Sequence, residues 1–141
     1  MSHEYHEDIS LADIAFSAEA TSLEALLVEG AKATFEAMAD LKKIKPKVKK
    51  EFRIEADSPE KLFFEWIEHL IFLKDAEYMV FSRFEAKVSE GEKWKLEGRA
   101  WGEKIDPKRH ELKVDVKAIT YHQFKVEKFR SGWRAFVILD I

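Results

Sequence analysis

SPEKLFFEWIEHLIFLKDAEYMVFSRFEAKV, residues 58–88, contains the change of period on which the fold turns. In its first half Ser58 precedes Pro59, and proline at a first helical position loses nothing, because the N–H it lacks would have no partner there. Leu62, Phe63, Trp66, Ile67, Leu70 and Leu73 then recur at helical spacing and predict a helix with one broad buried face. From residue 77 the period drops to two. Tyr78, Val80, Ser82, Phe84, Ala86 and Val88 fall on one side of a strand, Ser89-Glu90-Gly91-Glu92 makes a turn, and Trp94, Leu96, Gly98 and Ala100 return as the second arm of a hairpin.

Upstream, residues 13–19 alternate as a strand, and Thr21-Ser22-Leu23-Glu24 has the form of a capping box. A first helix over about 22–39 follows from Leu23, Leu27, Ala31, Phe35 and Met38, with Leu26 and Thr34 widening the stripe. A lysine-rich link, 41–50, contains Pro46, which argues against continuing that helix, and runs into a strand through Phe52 and Ile54. Downstream, Asp106-Pro107 marks a loop. Leu112, Val114, Val116 and Ala118 alternate against Lys113, Asp115 and Lys117, Phe124 and Val126 open another strand, and Ser131-Gly132 turns into WRAFVILD, residues 133–140. That last stretch is apolar on both faces apart from Arg134, which places it inside a sheet. The expectation is an α+β fold, one domain over 1–141, with two helices packed on a mainly antiparallel sheet.

Composition narrows the function classes. A chain of 141 residues can bury roughly two thirds of its unfolded surface without disulfides or structural zinc. Eleven Phe, four Trp and three Tyr supply the apolar area for its core. Cysteine is absent, which removes disulfides, thiolate metal sites and Cys nucleophiles and fits a reducing compartment. The start, MSHEYHEDIS, is charged where a signal peptide would be apolar, and no run approaches the roughly 20 apolar residues of a membrane helix, so the expected location is cytoplasmic. A net charge of −3 gives no global reason for nucleic-acid binding. The sequence holds no GxxxxGK[ST], GxGxxG, GxSxG or HExxH.

Several residues stand out chemically. The chain closes on Asp140-Ile141 at the end of a central strand, which puts a side-chain carboxylate and the terminal carboxylate within two residues. Like charges that close favour a neighbouring cation, and oxygen-only donors suit a hard ion better than zinc; a solvated chain end is the plainer reading. Asp13 lies among apolar neighbours in Leu11-Ala12-Asp13-Ile14-Ala15-Phe16, and is either an exposed strand residue or a paired carboxylate. Asp106 to His110 gathers cationic groups and an imidazole in one loop, and Lys117 falls on the polar side of its strand. His3 and His6 are close together in a terminus expected to be mobile. Six lysines between Lys42 and Lys50 form a candidate RNA or partner patch, or simply protect an edge strand.

In order along the chain, Ala12-Asp13-Ile14, Ser22-Leu23-Glu24, Trp66-Ile67-Glu68-His69-Leu70, Phe81-Ser82-Arg83-Phe84, Gly102-Glu103, Asp106 to His110, Val116 to His122, Gly132-Trp133-Arg134-Ala135 and Ile138-Leu139-Asp140-Ile141 resemble the archease family nearly end to end. The resemblance implies a non-catalytic accessory protein that helps an RtcB-type RNA ligase become guanylylated and turn over in tRNA splicing. It implies a divalent ion, Ca²⁺ first with Mg²⁺ and Mn²⁺ as alternatives, held by Asp13, Asp140 and the carboxylate of Ile141. Lys117 matches a lysine that works beside that ion, and His110 is a weaker match for a partner or nucleotide contact. A role as chaperone-like modulator of a tRNA methyltransferase is the alternative; tRNA would be touched indirectly if at all, and neither DNA nor membrane is implied. Where the family commonly has His-Thr ahead of Ala-Asp, this chain has Ser10-Leu11, which removes a histidine that would support the ion's ligands.

Overall fold

A computed structural model describes residues 1–6 and 12–141. The described residues form β1 (Ser2–His6), β2 (Asp13–Ala20), α1 (Leu23–Met38), β3 (Val48–Ala56), α2 (Pro59–Glu77), β4 (Met79–Glu90), β5 (Trp94–Lys104), α3 (Pro107–His110), β6 (Ala118–Phe129) and β7 (Gly132–Asp140). The expected α+β class is what is found, with the strands divided between two antiparallel sheets, β1-β2-β7-β6 and β3-β5-β4. Helices α1 and α2 each pack against strands of both sheets, so the core fills the space between them.

Local chemistry accounts for the helix ends. Ser58 caps α2 by accepting the Lys61 N–H at 3.1 Å, with Pro59 at the first turn as the sequence predicts. Ser22, one residue later than the expected capping-box position, caps α1 by accepting from Ala25 N–H. Glu24 is thereby released from the cap, and its carboxylate accepts the Val88 N–H of β4 at 2.8 Å, fastening α1 to the second sheet. The helices meet closely because residue 30 is glycine; a Cβ there would stand 2.5 Å from the Phe63 ring. Trp66, fully buried, donates its indole N–H to the Leu27 carbonyl at 2.8 Å, so its one polar group is satisfied inside the core.

Four expectations are corrected. Tyr78 is not the first residue of the hairpin strand: it takes a left-handed conformation, φ 53°, ends α2, and is exposed. Beyond it, β4 carries a bulge between Phe81 and Arg83 that shifts the alternation, so that Phe81 and Phe84 are both buried. The alternating residues 112–117 are not a strand; their backbone instead meets the end of α1, with Lys113 N–H donating to the Met38 carbonyl at 2.9 Å. The N-terminal residues form β1 along β2, clasped to α1 where His3 sits between Glu29 and Glu36 and Tyr5 donates to the Ala33 carbonyl.

The strand β7 lies between β2 and β6, as its two-sided apolarity requires. Ile14, Phe16, Ile119, Val137 and Leu139 face the helices, so Asp13, Ala15, Ala118, Thr120, Ile138 and Asp140 share the opposite face.

Candidate functional site at the end of the first sheet

Pairing between β2 and β7 sets Asp13 directly opposite Asp140, although 127 residues separate them in the chain. Residues so opposed point to the same face of the sheet. Ile141 N–H donates to the Ala12 carbonyl at 3.0 Å, one step beyond, which makes Asp13 and Asp140 a non-hydrogen-bonded pair. Side chains approach most closely at such pairs. The backbone carboxyl of Ile141 lies at this same corner, because that hydrogen bond holds it there.

The third strand completes the corner. Ala118 of β6 stands opposite Asp140, and Lys117 donates its backbone N–H to the Asp140 carbonyl at 2.8 Å. Lys117 is exposed, and its position is set from below by α2: the buried Lys74 donates to the Val116 carbonyl at 2.8 Å and to Asp115 Oδ1 at 2.7 Å. Lys74 was not singled out from sequence, although its spacing from Ile67 and Leu70 puts it on the buried face of α2. The backbones of Asp13, Asp140, Ile141 and Lys117 therefore adjoin at this end of the sheet, each held by strand pairing or a main-chain hydrogen bond. Ser10 and Leu11, where the family pattern is broken, lie outside the described residues.

The donors at this corner are all oxygen: two side-chain carboxylates on a close pair and the Ile141 backbone carboxyl. Like charges directly opposite each other destabilise a sheet, and a hard divalent cation is the kind of group that such oxygens accommodate. Among the described residues no three His, Cys, Asp or Glu side chains are grouped so as to hold a metal ion.

His110 belongs to a different cluster. It is fully buried in α3, its Nδ1 accepts the Asp106 N–H at 2.9 Å, and its Nε2–H therefore donates to Glu103 at 2.9 Å. A direct contact from His110 to a partner or nucleotide is thus not offered by this geometry. Glu103, 6% exposed, also receives both Arg109 terminal nitrogens at 2.7 Å and the Lys45 N–H at 2.7 Å. The Arg109 guanidinium, with His110 and the Lys45 amide, holds this carboxyl well below the usual carboxylate range against the opposing effect of burial. Because the folded value is depressed, the stabilisation is complete above the ordinary carboxylate pKa and is lost as pH falls below roughly 4. Glu103→Ala should cost about 3 kcal/mol at neutral pH, because it leaves buried donors without their acceptor, and should flatten the acid side of the stability curve. Urea unfolding at pH 7 and at pH 3 measures both; equal losses at the two pH values would contradict it.

Comparison with known proteins agrees with the fold. The chain resembles the solution structure of Methanobacterium thermoautotrophicum protein 1598, with a TM-score of 0.86 at 30% identity over 99% of this chain and 98% of that one. It also resembles a crystal structure from Thermotoga maritima described as an archease, possible chaperone, with a TM-score of 0.61 at 25% identity over 99% and 100% of the two chains. The fold is thus one that archease structures share. The model of the archease protein family (MTH1598/TM1083) matches residues 4–141, and the chain belongs to that family. Relatives called protein archease include those of Sulfurisphaera tokodaii, 39% identical over 92% of this chain and 93% of theirs, and Methanopyrus kandleri, 40% identical over 92% and 94%.

Proposed function

We propose that this protein is an accessory factor of an RtcB-type RNA ligase in tRNA splicing, acting through a divalent ion held by Asp13, Asp140 and the Ile141 carboxylate, with Lys117 beside it. The reading rests on the likeness to archeases. Its main structural support is the direct opposition of Asp13 and Asp140 on one face of the first sheet. An ion bound there would supply a centre that gathers carboxylate or phosphate oxygens. Lys117 offers an exposed cation at the same corner, suited to a phosphate as a point charge. Backbone pairing on three adjacent strands keeps these groups from moving apart, and rigid elements of this kind hold ligands more closely than loops do.

The alternative, a chaperone-like modulator of a tRNA methyltransferase, takes some support from the description of the Thermotoga maritima protein as a possible chaperone. That role would draw on the lysines of 42–50. Lys43, Lys47, Lys49 and Lys50 are, however, already within ion-pair distance of Glu111, Glu103, Glu51 and Glu77. With four of its six lysines paired within the chain, the patch has less charge to offer an outside partner.

The deciding assay is multiple-turnover RNA ligation by a cognate RtcB-type ligase with GTP, to which substoichiometric protein is added. Wild type should raise turnover, whereas Asp13→Ala and a form lacking Ile141 should leave it at the unassisted level. No effect of wild type on ligation or guanylylation would defeat the ligase reading and turn attention to the methyltransferase.

A further inference from the structure

Thr120 lies one row in from the carboxylate corner. On the outer face of the first sheet the rows run Asp13, Asp140, Ala118 and then Ala15, Ile138, Thr120. Among the buried side-chain oxygens and nitrogens of the described residues, the Thr120 hydroxyl oxygen is the one with no hydrogen-bond partner. Its row offers it none, since Ala15 and Ile138 are apolar and at most 1% exposed. A buried hydroxyl without a partner is uncommon and calls for a ligand, such as water or an ion, to explain it.

The surroundings indicate where that ligand sits. The next residue toward the corner on the same strand face is Ala118, which stands opposite Asp140 and has a side chain that ends at Cβ. Regular pairing of β6 breaks immediately after Thr120, between Thr120 and Lys125, and Gln123 adopts φ 54° within the irregular stretch. Bulges of this kind re-aim side chains beside functional sites. Diagonal neighbours on a sheet stand roughly 7 Å apart, too far for a hydroxyl and a carboxylate to meet directly and suited to one intervening water.

We propose that Thr120 Oγ1 accepts a hydrogen bond from a water ligand of the divalent ion gathered by Asp13 and Asp140, and so sets how tightly that ion is held. The inference rests on the ion reading given above. Hard cations of this class take six or more oxygens, so three carboxyl groups leave positions for water. A water fixed at such a position needs at least two polar partners, and the ion and Thr120 supply them. Side chains that hold the ligands of a metal in this way typically govern its affinity by ten- to a hundredfold.

Calorimetric titration of Ca²⁺ into the whole protein, with thermal melting in chelator alongside, tests this. Thr120→Val should weaken Ca²⁺ binding about tenfold, Thr120→Ser should bind within about twofold of wild type because it keeps the hydroxyl, and Thr120→Val should melt no lower than wild type when chelator is present. Equal Ca²⁺ affinity in wild type and Thr120→Val would overturn the role of Thr120 and leave the carboxylate reading intact. Absence of Ca²⁺ binding in wild type would overturn both. A lower melting temperature for Thr120→Val in chelator would show that the hydroxyl is used within the fold, which also overturns the proposal.

Discussion

Asp140→Ala is expected to yield a folded protein that no longer stimulates the ligase at any stoichiometry. Asp140 pairs with Asp13 on one side and Ala118 on the other, all through backbone, so truncating its side chain leaves the sheet register untouched. Removing one of two opposed like charges changes sheet stability by no more than about 1 kcal/mol, and in the favourable direction. The prediction therefore separates function from folding, with ligation turnover lost and urea midpoint retained. Asp140→Ala that still stimulated fully would dissociate the carboxylate pair from the activity.

Gly102→Ala should have the largest effect on stability. Gly102 is paired with Val48 on one side and Phe81 on the other, beside the bulge where Ser82 is the extra residue of β4. An alanine Cβ would lie 1.9 Å from the Val80 carbonyl oxygen and 2.8 Å from the Phe81 Cα. Both are backbone atoms in the middle of a sheet, so no side chain can rotate away to relieve the overlap. The cost should be about 4 kcal/mol or more, the range reserved for named defects such as backbone overpacking. For a chain of this size that lowers the melting temperature by about 10 °C or more. A melting temperature within a few degrees of wild type would mean that the bulge relaxes without penalty.

Much of the fold was legible because it depends on local pattern. The α2 stripe and its Ser58-Pro59 start appear in the structure as read, and β7 is central because both of its faces are apolar. Long-range pairing was not legible. That the strands form two sheets follows from which edges meet, and alternation within a strand carries no information on its neighbours. The segment 112–117 shows the same limit: Val116 is buried and Lys117 exposed as alternation predicts, but Leu112 is exposed, and the Lys113 and Val114 amides go to helix carbonyls rather than to a strand.

The candidate site divides along the same line. The adjacency of Asp140 and Ile141 is written in the chain, and Asp13 stood out among apolar neighbours, but only family resemblance connected them, since their meeting depends on a pairing across the whole domain. Glu103 and His110 were noticed as pieces of pattern. Their burial together was not, because the charged loop 106–110 folds back over its own strand through Arg109. Thr120 carries no sequence signal at all, since a threonine in a strand is ordinary.

The hydrogen bonds that close the end of α1 have a consequence for how the domain opens. The last carbonyls of a helix ordinarily go unsatisfied or turn to water. Here Met38 receives Lys113 N–H, Ala37 receives Val114 N–H at 3.5 Å, and the Glu36 carbonyl receives Lys113 Nζ at 3.2 Å. A stretch with no regular structure of its own is thereby joined to a helix nearly 80 residues away in the chain, and the two should fray and re-form as one cooperative unit. Amide exchange at Lys113 and Val114 would then report the last turn of α1.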